Sequence, residues 1–126
     1  MRYMTDLDNR IGLLRSSGVI SEAAERKARL FCSLLLEEYG IALTEENAAA
    51  CVTHLCMALK RMETDEDIAP MDAMVREDLK DAEEYDAAVR IAEHALHAVG
   101  PLMPGERDYL ILHMVMVLSK LGGENS

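Results

Sequence analysis

The side chains of this chain that could do chemistry are four histidines and three cysteines, and their spacing decides which kinds of chemistry are open to them. His113 stands inside residues 104 to 121, PGERDYLILHMVMVLSKL, where every residue from Tyr109 to Leu118 except His113 is hydrophobic. That run predicts a helix buried all round, in a domain core, a dimer interface or both. A histidine there is either a neutral core residue hydrogen-bonded to a neighbour or a group kept for chemistry. Glu106 precedes His113 by seven residues, so the two share a helix face, with Tyr109, Leu110, Met116 and Val117 close to the same line. His54 lies on the flank of a second apolar stripe, beside Asn47, Cys51, Ala58 and Arg61. Two turns separate His54 from Arg61, roughly 10 Å along the axis, part of which a long arginine side chain can cover.

Other groupings carry less. Cys51 and His54 are neighbours on a helix and could form a thiolate–imidazole pair. A reactive thiol needs an electropositive, accessible setting, which an acidic chain does not offer, and a small apolar residue packed beside a histidine is the simpler reading. His94 and His97 have a spacing that can chelate a metal, with Glu93 adjacent, yet no second ligand set accompanies them, so they read as exposed. The acidic stretch 63 to 70, ETDEDIAP, lacks the ligand spacing and glycine of a calcium loop. There is no glycine-rich phosphate loop, nucleophile elbow, HExxH or CxxC. No catalytic residue, metal or cofactor is expected, and the chain does not read as an enzyme.

The elements that must hold these residues are helices. Half of the chain is hydrophobic but only five residues are aromatic, four Tyr and one Phe, and nine are Met. A core of Leu, Ala, Val, Ile and Met favours helices over sheets. The net charge of −10, from 23 acidic against 13 basic side chains, and the lack of a basic patch argue against direct nucleic-acid binding. An odd number of cysteines without framework spacing reads as reduced thiols. Without an apolar signal core, and with a last apolar run too short to cross a bilayer, the protein is expected to be soluble and cytoplasmic, with no membrane association.

Residues 1 to 19 form a weakly patterned N-terminal extension, predicted as a short, loosely docked helix on Leu7, Ile11 and Leu14. Ser21 caps a helix carrying Ala24, Ala28, Phe31, Leu34 and Leu35 that ends at Gly40. Thr44 caps the next, through Ala48, Val52, Leu55 and Leu59 to about Met62. A short helix is expected at 71 to 79. Asp81 and Glu84 have capping-box spacing and predict the start of a helix carrying Tyr85, Ala88, Val89, Ala92, Ala95, Leu96 and Val99, closed by Gly100 and Pro101. The last helix starts at Pro104, and residues 122 to 126 should fray. The expected fold is all-α, a compact bundle of four long helices plus one or two short ones, with one domain over residues 20 to 121.

Two of these segments together resemble a known family. The run Val52 to Arg61, VTHLCMALKR, is a helical histidine followed seven residues later by arginine. The run Pro104 to Met114, PGERDYLILHM, places a glutamate seven residues before a histidine. Both, in this order and at this separation, with the Glu84-Tyr85 pair before a long alanine-rich helix, resemble the PTS regulation domain, or PRD, here as a stand-alone single-domain member. The resemblance covers about residues 20 to 121. It implies a PRD-like helical module, usually homodimeric, that is phosphorylated on histidine by the sugar phosphotransferase system, the donors being the histidine phosphocarrier protein or a phosphorylated IIB permease component. His54 and His113 are then the phosphoacceptors, with Arg61 and Glu106 supporting the phosphate, and the state is passed to a separate transcriptional regulator protein. The alternative is a non-phosphorylated helical interaction or scaffold protein whose histidines are structural.

Overall fold

The computed structural model describes residues 5 to 124, with side chains through residue 122. Among these residues there are six helices and no strand: α1 (Asp6–Ser16), α2 (Glu22–Tyr39), α3 (Glu45–Glu63), α4 (Ala73–Lys80), α5 (Tyr85–Val99) and α6 (Glu106–Glu124). The fold is all-α, and no helix is long and apolar enough to cross a membrane among the described residues.

Local chemistry sets most boundaries. Ser21 accepts a hydrogen bond from the Ala24 amide at the start of α2, and Gly40 closes that helix in the left-handed region at φ 66°. At the start of α3, Thr44 and Asn47 exchange both bonds of a capping box. The buried faces of α2, α3 and α5 then meet in one core that includes Phe31, Leu35, Val52, Leu55, Ala88 and Ala92. α6 packs against α3 on one side and α5 on the other.

Three helices, α1, α5 and α6, differ from expectation. α1 is not loosely docked: Leu7 and Ile11 are 3% and 1% exposed, and Arg10 pairs with Glu45 while Asp8 pairs with Arg29. Its pattern looks weak because only these two positions go inward, while Leu13 is 68% exposed. α5 does not start at Asp81. Asp81 closes α4 instead, its amide donating to the Asp78 carbonyl and the next amide, of Ala82, to the Leu79 carbonyl, and Glu84 makes no side-chain cap bond to α5. Asp81 has helical backbone angles, φ −82° and ψ −9°, where an N-cap needs an extended conformation, and burial of Leu79 fixes α4 in place.

α6 begins at Glu106, not Pro104, and continues through Gly122 to Glu124 where fraying was expected; residues 125 and 126 lie outside the described residues. Within the single chain α6 is not buried all round. Leu110, Ile111, Met114 and Val117 go inward, but Tyr109, Leu112, His113 and Leu118 are half-buried and Met116 is exposed. Two neighbouring helices cannot cover a third completely, so one strip of α6 stays open.

Candidate functional site

The open edge of the α3–α6 seam is where the two helical histidines meet. The stripe Ala48, Val52, Leu55 and Leu59 faces the core, which leaves His54 and Arg61 on the flank of α3, turned toward α6. The corresponding flank of α6 carries Glu106, Tyr109 and His113. The imidazoles of His54 and His113 stack with centroids 4.9 Å apart and planes inclined by 35°, and the Tyr109 ring lies 5.8 Å from His54.

Glu106 is the anchor of the cluster. It is a charged residue with 0% exposure, which a carboxylate tolerates only when paired and hydrogen-bonded. Arg61 supplies the pairing across the seam: Nε donates to Oε2 at 2.6 Å and Nη2 to Oε1 at 3.0 Å, a two-pronged bond. The position of Glu106 in the first turn of α6 places it near the positive end of the helix dipole. Its approach is set by Gly105, at φ 95°, where an added Cβ would come within 3.3 Å of Ile68 Cγ2 and 3.5 Å of the Ile68 carbonyl. Only glycine lets the chain turn there against the acidic linker.

His54 completes the arrangement from α3. Its Nε2 is 3.4 Å from Glu106 Oε1 and closed off from solvent, without a hydrogen bond of normal geometry. Burial pushes the His54 imidazole below the ordinary histidine range; nearby Glu106 works against that shift and Arg61 adds to it. His113 is pushed down to about 4, by burial first and then by His54. His113 is therefore neutral at physiological pH and holds a nucleophilic nitrogen without any base to deprotonate it. The bond to Glu106 raises the Arg61 guanidinium further still.

All four residues marked in the sequence, His54, Arg61, Glu106 and His113, thus lie in one cluster. What sequence spacing did not reveal is that Arg61 is held by Glu106, and that Tyr109 joins the group beside His54. Cys51 takes no part as a nucleophile: it is 2% exposed, and burial pushes its thiol up to about 12. His94 and His97 are exposed on α5, with the Tyr39 hydroxyl 2.7 Å from His94 Nδ1. Among the described residues no group of histidine, cysteine and carboxylate side chains is arranged to hold a metal. A cavity of about 310 Å³ lies elsewhere, between α1, α2 and the loop before α3, lined by Leu7, Ile11, Arg29, Cys32, Leu36 and Leu43 among others. Its arginine is occupied by Asp8 and Glu25, and no histidine lines it.

No protein-family model, no curated protein and no solved structure matches this chain.

Proposed function

We propose that this chain is a PRD-like regulatory module that accepts phosphate on His54, His113 or both from the sugar phosphotransferase system. It passes its state to a separate transcriptional regulator. The observation that carries this reading is the meeting of two imidazoles from different helices, 4.9 Å apart, beside a buried Arg61–Glu106 pair. A neutral imidazole can take a phosphoryl group directly, and the protein needs to supply little beyond position and charge neutralisation. The donor in this reading is the histidine phosphocarrier protein or a phosphorylated IIB component.

A phosphate on either ring adds close to two negative charges at the seam. It would draw on Arg61, which Glu106 already holds, and would load the α3–α6 contact. The half-open strip of α6 that carries Leu112, His113 and Met116 is the surface on which this reading places the second copy of a homodimer whose packing the phosphate shifts. The test is incubation of the pure protein with phosphoenolpyruvate and the general phosphotransferase proteins, read by intact mass and acid lability. The expected result is an acid-labile gain of one or two phosphates that H54A together with H113A abolishes. A wild type that stays unlabelled while a known acceptor is labelled rejects the reading.

A second reading, a helical interaction or scaffold protein with structural histidines, is favoured by one observation: the guanidinium of Arg61 is already engaged at both Nε and Nη2 by Glu106. It requires no phosphate uptake, and it makes the cluster a polar clasp between α3 and α6.

A further inference from the structure

The two ring nitrogens of His54 are not equivalent. Nε2 faces Glu106 Oε1 at 3.4 Å inside a closed space, and it is the only ring nitrogen among the described histidines that is both buried and without a hydrogen bond. The carboxylate it faces is wholly enclosed, and its Oε1 already receives Arg61 Nη2. A lone pair on Nε2 would point at the negative oxygen, whereas an N–H there points a donor at it. A neutral imidazole with its proton on Nε2 has its lone pair on Nδ1.

We propose that Glu106 fixes His54 as the Nε2–H tautomer and thereby makes Nδ1 the nitrogen that takes phosphate. The proposal rests on the phosphoacceptor reading above and adds regiochemistry to it. Phosphate on Nε2 would have to enter a space closed to solvent and sit against a buried carboxylate. On Nδ1 it leaves Glu106 on the far side of the ring.

The transfer balances without a proton moving at His54. The lone pair of Nδ1 attacks phosphorus, the N–P bond of a ring-protonated donor phosphohistidine breaks, and the donor leaves as a neutral imidazole. His54 becomes an Nδ1-phosphoimidazole whose Nε2–H now carries positive charge, and the Glu106 carboxylate faces that charge. A contact of 3.4 Å before transfer can shorten as the charge develops. Glu106 is a positioning residue here, acting on the phosphate only through His54.

Long-range ¹H–¹⁵N correlation of the histidine rings in the unmodified protein tests the tautomer directly. The expected result is Nε2–H over Nδ1–H at His54 by at least about tenfold, the ratio that a hydrogen bond to a charged group supports. A predominantly Nδ1–H ring overturns the proposal whether or not the protein is ever phosphorylated. Phosphoramidate, a small donor that needs no partner protein, then labels the histidines, and ³¹P–¹⁵N coupling locates the phosphate. Label on His54 Nδ1 supports the proposal; label on Nε2, or none on His54, overturns it. If phosphoramidate labels Nδ1 while the phosphocarrier protein labels nothing, the regiochemistry stands and the signalling role falls. E106Q should lower the Nε2–H to Nδ1–H ratio at His54 toward that of a free imidazole. R61Q/E106Q, which removes both charges, gives the same readout in a site with no orphaned guanidinium. Retention of the full preference in these variants overturns the role of Glu106.

Discussion

Arg61→Met is the sharpest perturbation of the cluster, because the two ends of the Arg61–Glu106 bond differ so much in burial. Glu106 has 0% of its side chain exposed and Arg61 has 21%. Removing the cation leaves a carboxylate with no water and no counter-charge, and breaking a buried pair in this way costs about 3–5 kcal/mol. Glu106→Gln orphans a guanidinium that still touches solvent, and should cost less, about 2–3 kcal/mol. Arg61→Met combined with Glu106→Gln removes both charges and should be much less destabilising than the sum of the single changes, with a coupling of about 2–3 kcal/mol. Urea unfolding followed by circular dichroism measures all four corners of the cycle. With a slope of about 1.5 kcal/mol per molar for a domain of this size, Arg61→Met moves the midpoint down by about 2–3 M. A loss under about 1 kcal/mol for Arg61→Met, or a larger loss for Glu106→Gln than for Arg61→Met, would show that the pair is solvated and that the cluster is not built on it.

The remaining expectations concern protons, thiols and the first helix. Since the folded His113 titrates near 4 and an unfolded histidine near 6.5, the unfolded chain binds the extra proton between these values. Stability is therefore fully present above about pH 6.5 and falls as the pH drops toward 4, by about 1–2 kcal/mol once solvent screening of a half-open ring is allowed for; an H113Q variant with an unchanged slope between pH 6.5 and 4 would contradict this. Burial pushes the thiols of Cys51 and Cys56 up to about 12 and about 11, so a disulfide reagent should modify the half-buried Cys32 first and the other two only on unfolding, and three equal rates would count against it. Leu7→Ala and Ile11→Ala should each cost about 2–4 kcal/mol, as core truncations do, and losses below about 0.5 kcal/mol would mean that α1 is loosely docked after all.

What could be read from the sequence was what each helix decides by itself. The Ser21 cap, the Gly40 stop and the stripes of α2, α3 and α5 all follow from local spacing, and the boundaries of α2 and α3 agree with the structure within a few residues. Local rules failed where two elements compete for the same residues. Asp81 and Glu84 satisfy the spacing of a capping box, but the chain uses Asp81 to finish α4 because Leu79 is buried there. The all-apolar run of α6 gives no phase, so nothing in it says that Leu112, His113 and Met116 lie on the open strip; only the packing of α3 and α5 on the other sides decides that. The same limit applies to the site. Spacing put Arg61 on the face of His54 and Glu106 on the face of His113, each within its own helix. That the arginine would reach across to the glutamate is a property of how α3 and α6 pack, and it changes the chemistry of both residues. An unpaired Arg61 would be a phosphate ligand waiting for its anion. Held by Glu106, it is one half of a charge-balanced unit, and any phosphate at His54 or His113 must compete with a buried carboxylate for it.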